Sequence, residues 1–416
     1  MIQYPLLING TWHNTEEKIQ VVDKYTQEIF AEVSKADEKL VHSAIDSAED
    51  AFKNNALSAY KRYEILHQAA NILKNRKEEL AQIIMREAGK PIKFARGEVD
   101  RTVQTLLVSA EEAKRITGEG VPVEAAPGSE NRLAFTIRVP VGIIAAISPF
   151  NFPLNLVAHK IAPALAAGNS VLLKPASKTP ISAIKLVEIL HEAGLPAGML
   201  NVLPGSGSVV GNVLMEDERI ALYTFTGSTE VGLQLKQKTG LRKLILELGN
   251  NSPVIVDKYA DVEKASKAIA AQSFAYAGQV CIAVQRIFVH QEIKDVFLPK
   301  LLSEIKALRV GDPSDPLTDV GPMIDEKEAK RAEEWIHDAV ENGAAIAYGG
   351  SRQGALLEPT VLTSTTSSMK VVCEEIFAPV VTITEYENLD DCLQEINQSR
   401  YGLQGAIFTQ NIDIAF

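Results

Sequence analysis

The residues able to carry covalent chemistry in this chain begin with Cys281. It closes the run Phe274-Ala275-Tyr276-Ala277-Gly278-Gln279-Val280-Cys281, at the predicted end of a helix. A thiol so placed can be an activated nucleophile; the alternative is a small buried apolar residue, the commoner fate of a lone cysteine. Glu247 lies inside LILELG. A carboxylate buried in such a run titrates closer to neutrality and suits a general base, or it pairs with a lysine or a backbone amide. Asn151 sits in Ser148-Pro149-Phe150-Asn151-Phe152-Pro153, where two prolines stiffen the turn after an apolar run. Its amide could donate to a developing oxyanion or simply close an Asx-type turn. Thr226-Gly227-Ser228-Thr229-Glu230-Val231-Gly232 is a glycine-opened turn into a helix start. Its backbone N–H groups could cradle a phosphate, and Ser228 or Thr229 could equally be a plain N-cap. Lys174 ends another apolar run and could reach a ribose or phosphate, or be an ordinary exposed lysine.

Each of these residues stands just after a predicted strand or helix. From residue 141 short apolar runs alternate with helical stretches: strands at 141–147, 170–173, 201–203, 220–225 and 244–248, with helices at 155–166, 181–192, 209–215 and 231–238 between them. That alternation predicts βαβ units around a parallel sheet, and such sheets bind ligands at the carboxyl ends of their strands. A second α/β stretch starts near Pro253, with strands at 254–256 and 287–289 and helices at 265–274 and 296–308, so GNNSP at 249–253 reads as a boundary. Residues 36–118 read as amphipathic helices, with apolar faces through Ala44, Ala48 and Ala51 and through Ile65, Ala69, Ile72 and Leu73. Residues 119–140, broken by Gly120, Pro122, Pro127 and Gly128 and followed by LAFTIRVP, read as a projecting hairpin or arm.

Composition narrows the function classes. The net charge of -11 disfavours nucleic acid and anionic membranes, both of which need basic patches. Three scattered cysteines make a poor disulfide framework and suit a reducing, cytoplasmic compartment. The first residues, MIQYPLLING, lack the pattern of a signal peptide, and no apolar run is long enough for a membrane span. Neither HExxH nor CxxC occurs, so no metal site is expected. GxGxxG and Walker loops are absent as well.

The motifs PFNFP at 149–153, KPAS at 174–177, FTGSTEVG at 225–232, LELG at 246–249, GQVC at 278–281 and EEIFAP at 374–379 stand in an order and spacing that resembles the aldehyde dehydrogenase superfamily over essentially the whole chain. The resemblance implies an α/β protein: a Rossmann-like doubly wound cofactor domain (1–118 with 141–249), a β-arm for oligomerisation (119–140) and an α/β catalytic domain (250–416). It implies Cys281 as nucleophile, Asn151 with the Cys281 backbone N–H as oxyanion hole, Glu247 as general base and Lys160, in HKIAP, as a proton-relay lysine. It implies NAD or NADP as cofactor, held by Ile147, Ser148, Pro149, Phe150, Lys174 and Ser177, by Gly227, Ser228, Gly232 and Leu248, and by Glu375 and Phe377 at the nicotinamide ribose and ring. A homodimer or homotetramer is implied too. Relatives that pass the acyl group to coenzyme A lack the glutamate, so Glu247 implies hydrolysis. Ser177 stands where NAD-preferring relatives carry a glutamate, which would repel a 2′-phosphate, so NADP use is compatible with this chain. Ala378 occupies a slot often held by glycine and would tighten the turn near the nicotinamide.

Phe152, Leu156, His159, Phe274, Val280 and Ile282 match positions near the substrate entrance of relatives. His159 replaces an aromatic residue of broad-range relatives and points to a hydroxylated or anionic aldehyde. The ISPFNFPLNL and HKIAPAL stretches resemble the branch of lactaldehyde and non-phosphorylating glyceraldehyde-3-phosphate dehydrogenases, but Leu107 and Val280 stand where the latter carry phosphate-binding arginines. A small hydroxy-aldehyde, lactaldehyde-like or its sulfonated analogue, is therefore the expected substrate, with a succinate-semialdehyde-type substrate as the alternative. A catalytically silent scaffold of the same fold is countered by the intact Cys281, Glu247 and Asn151, and a thiol esterase without redox chemistry by Glu375 and Phe377. The chain stops at Phe416 within an α/β unit, and family members are expected to continue for several dozen residues.

Overall fold

The computed structural model describes residues 1–416 and is built on two sheets. The first has seven strands in the order Lys243–Glu247, Ile220–Thr226, Ile143–Ile147, Ser170–Lys174, Leu200–Val202, Leu6–Ile8 and Thr11–His13. Its first five strands run parallel, and the two N-terminal ones close the far edge antiparallel. The second has six strands, Ala345–Tyr348, Thr360–Thr363, Val380–Tyr386, Arg286–His290, Pro253–Val256 and Ala406–Phe408, all parallel except the first. The expected α/β class, with doubly wound and second α/β parts, is borne out. The central parallel strands Ile143–Ile147 and Ser170–Lys174 are buried on both faces, which is why they read as apolar runs. The N-terminal strands between Ile2 and Ser34 have no counterpart in the pattern reading. They are short, and three of them form a separate three-stranded sheet.

Four helices, Glu38–Asn54, Ala59–Asn75, Lys77–Ala88 and Ile92–Ala113, lead into the first sheet. Ala44, Ala48, Ala51, Ile65, Ala69 and Leu73 lie on their buried faces, as their spacing predicts. Between 119 and 140 a hairpin forms, Gly120–Val121 pairing antiparallel with Ala134–Phe135. Its apolar side chains Leu133, Phe135, Ile137 and Val139 are all exposed.

Two helices that follow strands of the first sheet begin without a local cap. Asn155–Ala166 starts at Leu154 and Ile181–Glu192 at Pro180, neither of which offers a side-chain acceptor. Both starts are instead satisfied by buried glutamates of the N-terminal helices. Glu98 accepts from the backbone N–H groups of Leu154 and Asn155 at 3.0 and 3.1 Å. Glu87 accepts from Ile181 and Ser182 backbone N–H at 2.8 Å each, and from the Ser182 hydroxyl. A helix start left bare inside a protein exposes several unpaired donors, and a carboxylate there also meets the positive end of the helix dipole. Burial nonetheless pushes the Glu87 carboxyl up to about 7. Glu87→Ala should strip three donors of their partner and lower stability by about 2–4 kcal/mol. Urea denaturation measures it; a midpoint equal to that of the unaltered protein would refute the capping role.

Candidate active site

The carboxyl ends of the first sheet face the segment that leads into the Cys281 loop. Strand Ile143–Ile147 ends in the stiff Ser148–Pro153 turn, which buries Asn151. The Asn151 Nδ2 donates to the Gln279 carbonyl at 3.0 Å, two residues before Cys281. Gln279 is itself fully buried, accepting from the Ile324 N–H at 2.8 Å and donating to the Tyr276 carbonyl at 3.3 Å. Helix Val262–Phe274 stops short of the cysteine. Tyr276 and Ala277 take left-handed backbone at φ 50° and 52°, and Gly278 follows at φ 69°. Such backbone in non-glycine residues is strained and persists only where packing over-determines it. At Gly278 a Cβ would overlap the Ala378 carbonyl, so glycine is required there on steric grounds as well. Cys281 thus sits on a tight turn past the helix end, half-buried.

A cavity of about 410 Å³ opens beside it, with Cys281, Asn151, Glu375 and Phe377 on its walls. Ser148, Pro149, Phe150, Gly227, Ser228 and Leu248 line it too. The Phe150 and Phe377 rings meet edge to face with centroids 5.8 Å apart, and Phe377 also has left-handed backbone, φ 51°. The Glu375 carboxylate accepts from the Asn250 N–H at 2.9 Å, and burial raises its pKa. A second cavity of about 490 Å³ lies on the other side of Phe225 and Val231, which border both, and is lined by Ile147 and Lys174. Gly232 lets the Leu248 side chain approach, since a Cβ there would stand 2.6 Å from Leu248 Cδ2. Ser177 lies outside both linings, exposed, its hydroxyl donating to the Gly205 carbonyl at 3.0 Å.

Electrostatics tie the site together. Burial raises the Cys281 thiol pKa, and the negative charges of Glu375 and then Glu247 raise it further, so the resting thiol is held protonated. Lys160 is buried, donates to Thr226 Oγ1 at 2.6 Å, and is lowered to about 8 by burial against the opposing pull of Glu247. Glu247 therefore lies within electrostatic reach of both. The expectation that it is buried does not hold, however. Lys243–Glu247 is an edge strand with Lys243, Ile245 and Glu247 exposed in alternation, so one face of the apolar run is open to water. No ion pair or side-chain hydrogen bond holds its carboxylate.

A third cavity, about 440 Å³, opens between helices Ile92–Ala113 and Asn155–Ala166 and brings Arg101, Gln104, Thr105 and Ser109 against His159. Burial, then Arg101, then Lys160 lower the His159 pKa, while Glu247 raises it. The Arg101 guanidinium is exposed and forms no ion pair. The slots in which phosphate-reading relatives carry arginines hold Leu107 and Val280. Both pack against the apolar core, and the helix turns Arg101 toward the cavity instead. Arg101, Thr105 and Val108 recur at helical spacing; only knowing which face meets the Asn155–Ala166 helix would have singled them out. Phe152 and Leu156 are half-buried and Ile282 is 40% exposed, and none of the three lines these cavities. Lys90 and Glu98 were likewise not singled out by the sequence.

The family model for the aldehyde dehydrogenase family matches residues 12–416. The chain belongs to the aldehyde dehydrogenase family. Its activity is the NAD(P)-dependent oxidation of an aldehyde. The chain is 54% identical to a 3-sulfolactaldehyde dehydrogenase of Priestia aryabhattai, over 99% of this chain and 86% of the relative. It is 41% identical to a lactaldehyde dehydrogenase of Methanocaldococcus jannaschii, over 98% of this chain and 87% of the relative. The solved structure of the NADP-dependent glyceraldehyde-3-phosphate dehydrogenase of Bacillus halodurans with NADP superposes with a TM-score of 0.97 at 38% identity, covering 100% of this chain and 88% of that one.

The residues present fit a dinucleotide. The Ser148 hydroxyl is buried on the cavity wall with no hydrogen-bond partner. Lys174 is buried with only a 3.4 Å contact to the Pro175 carbonyl, and burial alone lowers it to about 8. An ammonium desolvated without a counter-ion gains from a bound anion, which holds the proton on. Cofactor binding should therefore weaken as pH climbs through 8 and Lys174 loses its charge. Fluorescence titration of NADP should show Kd rising about tenfold between pH 7.5 and 9.5, with the slope abolished in Lys174→Gln; a flat Kd in the unaltered protein would contradict the assignment.

Proposed function

We propose that this enzyme oxidises a small hydroxy-aldehyde bearing an anionic group, with 3-sulfolactaldehyde as the representative substrate, to the carboxylic acid. The observation that carries this reading is the unpaired Arg101 guanidinium beside His159 in the cavity between the two helices. A sulfonate or other tetrahedral anion matches the donor fork of an arginine, and a neutral hydroxy-aldehyde leaves it idle. The relative named 3-sulfolactaldehyde dehydrogenase supports the same choice.

In this reading the Cys281 thiol passes its proton through water to the solvent-connected Glu247 carboxylate, its sulfur bonds to the aldehyde carbon, and the carbonyl π pair moves onto oxygen. The Asn151 amide and the Cys281 backbone N–H stabilise that oxyanion. When bound, the oxidised nicotinamide supplies the acceptor for the hydride the carbon gives up. The oxygen lone pair then restores the double bond as a thioester on Cys281. Water adds to the thioester carbon, Glu247 takes the water proton, and the C–S bond breaks to release the acid and the thiolate. Glu247, being exposed, acts as a solvent-connected carboxylate that can pass its proton on. Lys160, which donates to Thr226 and is lowered to about 8, relays it in this reading.

The cofactor contacts in this reading are Lys174 at the adenosine ribose, Gly227, Ser228 and Gly232 around the pyrophosphate, and Glu375 with Phe377 at the nicotinamide. Ser177, with no carboxylate at that position, leaves room for the 2′-phosphate of NADP. Residues 1–118 with 141–249 form the cofactor domain and 250–416 the catalytic domain. The exposed apolar arm of 119–140 joins a second copy of the chain.

The test compares 3-sulfolactaldehyde with lactaldehyde in the parent enzyme and in Arg101→Met. The parent should favour the sulfonated substrate, and Arg101→Met should raise its KM about 10- to 100-fold with lactaldehyde nearly unaffected. Equal effects on both substrates would refute the anion-reading role. Cys281→Ala should end turnover of both while NADP still binds.

A further inference from the structure

A fully buried ion pair lies directly behind the site. Lys90, 1% exposed, pairs with Glu98, 2% exposed. Neither touches the cavities, yet between them they contact both loops that carry the reacting groups. The second oxygen of Glu98 accepts the backbone N–H groups of Leu154 and Asn155, which end the Asn151 turn. The Lys90 ammonium lies 3.7 Å from the centre of the Phe152 ring, next to Asn151, and 4.7 Å from that of Tyr276, on the approach to Cys281. Tyr276 is fixed in turn by its hydroxyl, which donates to the Ala88 carbonyl at 2.7 Å.

Stability alone is a poor account of this arrangement. Desolvating two charges costs several kcal/mol each, and well-packed apolar residues of the same volume often do as well. What an apolar pair could not do is fix the Leu154 and Asn155 amides while holding two aromatic rings by their faces. We propose that Lys90 and Glu98 are positioning residues for the oxidation step, locking the Asn151 turn against the Cys281 loop so that amide and sulfur address the same carbonyl. The inference rests on the roles given above to Asn151 and Cys281.

The decisive experiment follows the burst of NADPH formation by stopped flow in Lys90→Met/Glu98→Gln, with and without Asn151→Ala. Misplacing a reacting group by about an ångström costs about 100-fold, so the double variant should acylate about 100-fold more slowly. KM should move less than about threefold and the NADP Kd should hold, a split that general destabilisation would not give. Asn151→Ala should cost about 100- to 1,000-fold in the parent but only about threefold in the double variant, because the two changes act on one geometry. Acylation within about threefold of the parent, or an undiminished Asn151→Ala effect in the double variant, overturns the proposal. Glu98→Asp keeps both charges and withdraws the carboxylate from the two amides. It serves if the double variant does not accumulate, and should itself slow acylation about tenfold; parent-like acylation there overturns the proposal equally. A harmless Asn151→Ala in the parent would instead sink the oxyanion reading.

Discussion

One hydrogen bond, from the Asn151 amide to the Gln279 carbonyl, joins the end of a strand in the first sheet to the turn that presents Cys281. The chemistry proposed for Cys281 and Asn151 depends on that junction. Cys281, on the loop leading into a strand of the second sheet, and the strand ends of the first come from different parts of the fold, and neither sheet alone fixes their separation. The structure over-determines the contact from both sides. Gln279 is buried and pinned to Ile324 and Tyr276, the Cys281 approach is strained into left-handed backbone, and the Asn151 turn is clamped by two prolines and by Glu98.

The same physics decides where a dinucleotide can lie. Helix starts attract anions, and the first sheet offers several. The starts at Asn155 and Ile181 are filled by the internal carboxylates Glu98 and Glu87, so they repel rather than invite a phosphate. The start of Thr229–Lys238 is capped by its own Ser228 hydroxyl, with the exposed Glu230 in its first turn, and faces a cavity. In the adjoining cavity Lys174 is buried without a counter-ion, a second feature that favours an anion there.

Much of this was legible in the sequence. Helices Asn155–Ala166 and Ile181–Glu192 and the central strands follow from unbroken apolar runs and helical spacing, because buried parallel strands and amphipathic helices leave clear patterns. Cys281, Asn151 and Glu375 could be named from motifs, and the structure gathers them on one cavity. The environment of Glu247 was not legible: LILELG reads as buried, but an edge strand exposes alternate residues and periodicity does not report edges. Nor were Arg101 and the Lys90–Glu98 pair, whose meaning arises only when Ile92–Ala113 packs on Asn155–Ala166. The first three N-terminal strands, of three residues each, were too short to leave a pattern.

The central claim is that sulfur 281 and carboxylate 247 serve one carbonyl carbon in succession. The most direct measurement is intact-protein and peptide mass spectrometry of Glu247→Gln, quenched in acid after mixing with NADP and aldehyde. An acyl adduct confined to the peptide bearing Cys281 should accumulate to near one per chain because its hydrolysis is slowed. An adduct on another residue, or none while turnover continues at the parent rate, would contradict it.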